Sequence, residues 1–424
     1  MIKFILKLLK FVPEAVRLQF YRSQAEVPEF AMDSDFTVEI ARSRDDLESA
    51  YELLHECYVA TKLMSPHSSG LRCNIFSFLP HTTVIVAKYK NQVIGTVSLI
   101  RDSSWGLPSD KDYKTENNEL RKANNQIVEV SALAVSKSYR KVGNSVSLLL
   151  MKYLYNYTRQ YFSSNCLVCT VHPRAEDFYK AFWHFKRNGK QVSYQFVQGA
   201  LAVHLSMQMS DQIQEKIVAS YPSKEIHKNF ALFVLNQDAR FIYPERQSRS
   251  KIDPVLTPYL LEYFSVDRTD FWSTFSGQEQ AQLICIYEGI FGTLNGKFKQ
   301  VDFSLLKTAK EYRIPAEVTA MISVGDQMVM GRILDLSTGG AFVTWPKNLP
   351  ELATEMTIKF KIGNQTLQLN CQSTWKNEGT SSLHASGFGI KFIENTKLGA
   401  HHIKNWIYSE PNVDFYESQQ RKLA

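Results

Sequence analysis

The stretch EVSALAVSKSYRKVGNSVSLLL (129–150) decides the fold. Its apolar opening completes a β-rich run, QIVEVSALAV (126–135), that reads as a strand. A basic turn follows, Arg140-Lys141-Val142-Gly143-Asn144-Ser145, and the periodicity of VSLLLMKYLYNYTRQYF (146–162) then predicts a long helix. In such a strand–turn–helix the first backbone N–H groups of the helix point at the turn and form a cradle for a phosphate, and Gly143 lets the backbone approach closely. Taken alone, Arg-x-x-Gly-x-Ser also fits an ordinary solvated helix cap.

Working outward, the apolar run NCLVCTV (165–171) predicts a strand after the helix. On the other side, FTVEIARS (36–43) alternates as a strand and leads into a helix over 44–62, and TTVIVAKYKNQVIGTVSLIRDS (82–103) reads as a hairpin turning at Lys88 to Gln92. Ser104 to Asn125 reads as a polar excursion. Strand, helix, hairpin, strand, basic glycine turn, helix and strand make an α/β layout with a mixed sheet and flanking helices. Residues 206–300 read as mostly helical, with no chemical motif, until GTLNGKFKQ (292–300) marks a boundary. Beyond it, short strands alternate with glycine turns, which implies a small antiparallel β-barrel.

A length of 424 residues predicts two to three domains, and 44% hydrophobic with 21% charged residues excludes a disordered or collagen-like chain. The net charge of +7 is modest over this length; it does not argue for nucleic acid and suits an acidic protein partner or an anionic membrane surface equally well. The six cysteines form no disulfide framework, which favours a reducing, cytosolic compartment. Cys166-x-x-Cys169 lacks the second pair that a zinc site needs and reads as two buried thiols, so no metal is expected. No apolar run is long enough to span a bilayer. The N-terminus MIKFILKLLKFV (1–12) places Lys3, Lys7 and Lys10 on one helical face. Such a helix lies in a membrane interface or docks on its own domain, and the sequence leaves both open.

The 129–150 arrangement resembles motif A of the GCN5-related N-acetyltransferase (GNAT) fold, which binds the pyrophosphate or phosphopantetheine of a thioester donor. Further stretches narrow the resemblance to the FeeM-like long-chain N-acyl amino acid synthases, relatives of the acyl-homoserine-lactone synthases: YVATKLMSPHSSGLR (58–72), LPHTTVIVAKYKNQVIGTVSLIRDS (79–103), GLPSDKDYKTENNELRK (106–122), EVSALAV (129–135) and HPRAEDFYKAFWHF (172–185). Ala132 stands where that family usually has an arginine, and His184 where a glycine is usual.

The resemblance implies an N-acyltransferase and assigns residues to it. Glu129 is the candidate base or amine-orienting carboxylate, and Tyr179 the candidate proton donor to the leaving thiolate; each also has a purely structural reading, as hydrogen-bond acceptor and core aromatic. Arg72, Ser131, His172 and Arg174 are the candidate substrate-binding residues, with Arg72 suited to a bidentate grip on an amino acid's carboxylate. The acyl donor falls to Leu133, Val135, Arg140, Lys141, Gly143, Asn144 and Ser145, with a splayed strand over Val130 to Val135 offering backbone N–H groups to the thioester carbonyl. The aliphatic faces around Leu148, Leu149, Leu150, Tyr153 and Leu154 serve either as an acyl tunnel or as ordinary core. The expected donor is an acyl thioester on acyl carrier protein, with acyl-coenzyme A as the other choice. Lys137, Arg140 and Lys141 would meet an acidic carrier.

Residues 309–394 resemble a PilZ domain, a small β-barrel that commonly binds cyclic di-GMP. The resemblance rests on RIPAEV (313–318), DLSTGGAFV (335–343), a strand ending at Trp375 and GFGIKF (387–392). Asp335-x-Ser337-x-x-Gly340 satisfies the second signature, while the first, Arg-x-x-x-Arg, keeps Arg313 but has Ala309 in place of its first arginine. Cyclic di-GMP binding would fall to Arg313, Asp335, Ser337 and Gly340; the other reading keeps DLSTGG as a structural turn in a protein-contact module.

The expected layout is a basic amphipathic helix and linker (1–30), a GNAT-like acyltransferase core (31–205), a helical extension (206–300), a PilZ-like barrel (301–410) and a tail (411–424). The expected activity is transfer of a long acyl chain from a thioester to an amino acid's amine, regulated through the barrel, with no tightly bound cofactor and no nucleic acid partner. The alternative is a non-catalytic, membrane-associated PilZ effector. The expected location is cytoplasmic, peripheral on the inner membrane through residues 1–12.

Overall fold

The structure is a computed structural model that describes residues 12–23, 35–103, 105–123, 125–140, 145–162, 164–221, 229–245, 253–291, 294, 296–301, 314–345, 351–362, 365–377, 386–394 and 403. The chain divides into two compact units, Met1–Trp272 and Ser273–Ala424.

The first unit is built on one mixed sheet. Its strands are β1 (Phe36–Ile40), β2 (Thr82–Tyr89), β3 (Gln92–Arg101), β4 (Ile127–Val135), β5 (Cys166–Val171), β6 (Lys186–Arg187), β7 (Val192–Tyr194), β8 (Ala200–Gln208) and β9 (Phe241–Ile242), in the order β6-β8-β5-β4-β3-β2-β1-β9, with β7 pairing β8. The β2–β3 hairpin turns on Lys90 and Asn91, both at positive φ (50° and 61°), as a tight hairpin turn requires. Central β2 and β3 are buried along most of their length because helices cover the sheet on both faces. Helix α1 is Glu14–Ser23, α2 is Arg44–Ala60, α3 is Ile75–Phe78, α4 is Asp110–Lys122, α5 is Ser145–Gln160 and α6 is Glu176–Trp183. Ser43 caps α2 by accepting from the Asp46 N–H. Helix α5 lies so close to β3 that a Cβ at Gly95 would sit 2.8 Å from Val146 and 3.1 Å from Leu150, so the glycine sets that approach.

Two features differ from expectation. The polar excursion contains α4, whose only buried side chains are Tyr113 and Asn117, too few to give an apolar period. Within 206–300, the part up to Trp272 belongs to the first unit instead of forming a separate extension: after α7 (Asp211–Ala219) and α8 (Phe230–Leu235), β9 joins the sheet edge parallel to β1. Arg268 then pairs with Glu48 of α2 and donates to the Ser69 carbonyl at 2.9 Å, which fastens the end of the unit to the loop before β2. At the other end α1 docks on α6 through Arg17–Asp177 (2.8 Å) and Glu14–Lys180 (2.9 Å). Residues 1–11, which hold the three lysines of the basic segment, lie outside the described residues. Among the described residues no helix is long and apolar enough to cross a membrane.

The second unit carries a closed antiparallel barrel of β10 (Ile314–Val324), β11 (Gln327–Leu336), β12 (Gly340–Thr344), β13 (Glu355–Ile362), β14 (Gln365–Asn377) and β15 (Gly387–Glu394), ordered β10-β11-β12-β15-β14-β13. Alternation along β13 sends Met356, Ile358, Phe360 and Ile362 inward to meet Ile322, Ile333, Val343, Phe388 and Ile390. Closure leaves no free sheet edge.

Candidate active site

The site forms where β4 departs from regular pairing. Ser98 faces Ser131 and Thr96 faces Ala134, so Ala132 and Leu133 together oppose the single residue Val97. This is a β-bulge, and Ala132 at its centre takes a left-handed φ of 55°. On the other side, β4 and β5 pair in parallel only as far as Val130 and Cys169, although β4 continues to Val135. Beyond that point the backbone edge of Ser131–Val135 facing β5 has no strand partner among the described residues, which gives a polar-edged cleft at the middle of the sheet.

Glu129 lies just before the splay, 2% exposed. One carboxylate oxygen, Oε2, accepts from the Ser109 N–H (3.0 Å) and the Ser109 hydroxyl (2.7 Å), and Oε1 makes no hydrogen bond with any described residue. Burial raises the carboxyl from its ordinary 4.5 to about 7; the Ser109 hydrogen bonds oppose that rise, and the nearby Asp110 and Asp102 add to it. Asn117 Nδ2 in turn donates to Ser109 Oγ (2.9 Å) and to Asp110 Oδ1 (2.8 Å). Arg121 closes the network on Asp110 (2.6 Å) and Asp102 (2.6 Å).

Cross-strand register places Glu129 and Ser131 on the same sheet face as Ile100 and Ser98, because directly opposed residues project to one side. That face borders a pocket lined by Tyr51, Arg72, Ser77, Ser98, Ser131 and Phe196. At about 20 Å³ it admits a small polar group rather than a whole substrate. Arg72 is 8% exposed, its guanidinium carbon 4.1 Å from the centre of the Tyr58 ring and 5.5 Å from that of Phe196, and it has no ion pair among the described residues. A buried cation held by aromatic faces without a carboxylate is electrostatically incomplete.

The remaining expected residues divide. Tyr179, on α6, is raised by burial, with smaller upward contributions from the Cys169 thiol and Tyr58, so its phenol stays protonated at neutral pH. Burial likewise raises the Cys169 thiol, with a smaller contribution from the Glu129 charge. His172 and Arg174 are exposed, and the His172 ring is occupied in its own turn, accepting from the Arg174 N–H at 3.1 Å. His184 ends α6 in the left-handed conformation (φ 55°), which explains why a glycine suits that position.

Leu133 and Val135 lie on the splayed segment, half-buried. Arg140 is exposed but engaged, donating to the Val135 carbonyl (2.8 Å) and to Cys57 Sγ (2.9 Å). Lys141, Gly143 and Asn144 lie outside the described residues, as does the Ser145 side chain, so the phosphate cradle itself is not described. Leu149, Leu150, Tyr153 and Leu154 are fully buried under the sheet as ordinary core.

In the second unit, Asp335 Oδ1 accepts from the Phe342 N–H (2.9 Å). Ser337 Oγ accepts from the Gly340 N–H (3.1 Å) and donates to the Gly340 carbonyl (3.1 Å). Both side chains therefore hold the D-L-S-T-G-G turn closed. Arg313 lies outside the described residues.

Sequence reasoning missed Ser109, Asn117 and Tyr194. Tyr194 on β7 is buried, and its phenol is raised first by burial and then by the Glu129 charge. All three reach the site from outside the strand–turn–helix that carries the motif, and none belongs to a repeating pattern.

Residues 49–208 match the family model described as N-acyl amino acid synthase FeeM, and residues 307–409 match that of the PilZ domain. Among solved structures, the chain is similar to FeeM, an N-acyl amino acid synthase from uncultured soil microbes, at 19% identity and a TM-score of 0.36, covering 42% of this chain and 93% of that one. It is similar to the AHL synthase LasI at 18% identity and a TM-score of 0.34, covering 43% and 94%. It is also similar to the PilZ domain of CeSA from a cellulose-synthesizing bacterium, at 24% identity and a TM-score of 0.19, covering 23% and 96%. A comparison with curated proteins finds no match.

Proposed function

We propose that this chain, an acyltransferase with a FeeM-type N-acyl amino acid synthase domain over residues 49–208 and a PilZ domain over 307–409, transfers a long acyl chain from an acyl thioester to the α-amine of an amino acid. The observation that carries the amino acid reading is Arg72: a buried guanidinium without an ion pair among the described residues, lining the small pocket on the sheet face that bears Glu129 and Ser131.

In this reading the substrate's carboxylate completes Arg72, which directs its amine toward the free oxygen of Glu129. Glu129 takes a proton from the amine, the nitrogen attacks the thioester carbonyl, the C–N bond forms and the C–S bond breaks. The oxyanion is met by backbone N–H groups of the splayed segment, and Tyr179, protonated at neutral pH, gives its proton to the leaving thiolate. Acyl carrier protein is the proposed donor, docking at the exposed Lys137 and Arg140 and at Lys141. His172 and Arg174 fit this reading as an exposed rim rather than as substrate ligands.

The experiment is steady-state acyl transfer from palmitoyl-acyl carrier protein to each of the common amino acids by the full-length chain and by Arg72→Ala. A rise in KM for the amino acid of about 100-fold, larger than the change in kcat, is expected. An unchanged KM in a folded, active variant overturns the role of Arg72.

Cyclic di-GMP is the proposed ligand of the second unit, with Arg313 meeting its phosphates and Asp335, Ser337 and Gly340 shaping the turn that receives it. Calorimetric titration of the full chain with cyclic di-GMP tests this, and the absence of heat at high ligand concentration overturns it. The basic segment 1–12 is the proposed contact with an anionic membrane surface, tested by loss of liposome co-sedimentation when it is deleted.

A further inference from the structure

Ser109 occupies the N-cap of α4, the position at which a serine ordinarily turns its oxygen onto the first N–H groups of its own helix, yet it makes no such bond. Its hydroxyl is given instead to Glu129, twenty residues along the chain on another element, and its backbone N–H goes to the same oxygen. The direction of that hydroxyl is fixed from behind. Asn117 donates to Ser109 Oγ, which occupies the oxygen's acceptor side and sends its own proton toward Glu129. Asn117 is itself oriented, because the nitrogen that reaches Ser109 also reaches Asp110, and a flipped amide would set oxygen against carboxylate. Asp110 is anchored by Arg121 and by the Leu107 N–H at 2.9 Å. The buried Asn117 Oδ1 has no partner among the described residues, so the amide is arranged for its two donations and not for its own satisfaction.

We propose that Ser109 is a positioning residue for Glu129: it holds one carboxylate oxygen by two hydrogen bonds, leaves the other for the substrate amine, and relies on Asn117 for the direction of its hydroxyl. The proposal deepens the reading of Glu129 as the base and rests on it for its catalytic meaning. A hydrogen bond given to a carboxylate favours the charged form, so Ser109 opposes the upward pull of burial and keeps the group usable as a base near neutrality. The other titratable groups that act on Glu129 through space are Asp110 on α4, Asp102 just after β3, Cys169 on β5 and Tyr194 on β7. Arg121 pairs with both aspartates. Of the whole set, Ser109 alone hydrogen bonds to the carboxylate.

The test is an infrared titration of the full-length chain, with the protonated carboxyl band of Glu129 identified as the one missing from Glu129→Gln. The midpoint in Ser109→Ala is expected about one pH unit above wild type. Ser109→Thr, which keeps the hydroxyl, should stay near wild type, and Asn117→Ala should move in the same direction as Ser109→Ala by less. A midpoint unchanged in folded Ser109→Ala and Asn117→Ala overturns the proposal, as a merely structural role would lower the melting temperature without moving it. The pH profile of acyl transfer supplies the second readout: its rising limb should follow the infrared midpoint in each variant. If Glu129→Gln keeps full acyl transfer while the midpoint still moves, the base assignment falls and the control of Glu129 by Ser109 stands.

Discussion

Each unit buries an acidic side chain together with a nearby serine, and the two pairs are used in opposite ways. In the second unit Asp335 and Ser337 lie in one short turn and spend their atoms on it, on the Phe342 N–H and on the backbone of Gly340. In the first unit Glu129 and Ser109 come from separate elements and bind each other, which leaves Glu129 Oε1 without a described partner beside the cleft. The same residue types therefore close a turn when they satisfy local backbone, and leave a carboxylate oxygen without a described partner when they satisfy each other. Burial is common to both; the partner distinguishes them, local backbone for Asp335 and a serine from another element for Glu129.

The largest expected effect that sharpens this contrast is on rate. With its carboxyl at about 7, Glu129 is protonated below that pH and unavailable as a base, so acyl transfer should fall about tenfold per pH unit below pH 7. Measured on the purified chain, this limb should be absent from any residual activity of Glu129→Gln. A limb centred near 4.5 instead would mean that the carboxyl is not desolvated during turnover.

The next effect is on stability. The folded state holds the Glu129 proton more tightly than the unfolded chain, so the stabilising contribution is full below about 4.5 and is lost as pH rises to about 7. Glu129→Gln removes the ionisable group and with it that loss. Urea unfolding should find it more stable than wild type at pH 8, by up to about 3 kcal/mol, and nearly equal at pH 4.

Asp335→Ala should behave oppositely. It leaves the buried Phe342 N–H without its carboxylate and should cost the barrel about 1–3 kcal/mol, read as a lower denaturation midpoint for the second unit. The pH limb of acyl transfer should not move. The smallest effect belongs to Ala132→Gly, which relieves a left-handed φ but loosens the unfolded chain; a net gain of about 0.5 kcal/mol is expected in thermal melts.

The sheet was largely legible because its strands and α5 carry apolar periods that only this layout satisfies. Helix α4 was not, since a helix whose buried face is Tyr113 and Asn117 has no hydrophobic stripe, and two-residue β9 is too short for any period to register. The site shows the same limit. Glu129 and Arg72 lie in stretches that carry the family resemblance, but Ser109, Asn117 and Tyr194 come to notice only once folding brings distant elements together. The left-handed backbone of Ala132 is equally invisible in sequence, because an alanine carries no turn signal. His172 and Arg174 are exposed, with the His172 ring accepting from the Arg174 N–H, a local turn that their motif does not disclose.

The central claim, that this fold uses Glu129 to join an acyl chain to an amino acid, is tested most directly by mass spectrometry of organic extracts from a host expressing the full chain or folded Glu129→Gln. New N-acyl amino acids in the wild-type extract and not in the variant are predicted, and they would identify both substrates at once. The same lipids at equal abundance from both proteins would contradict the account.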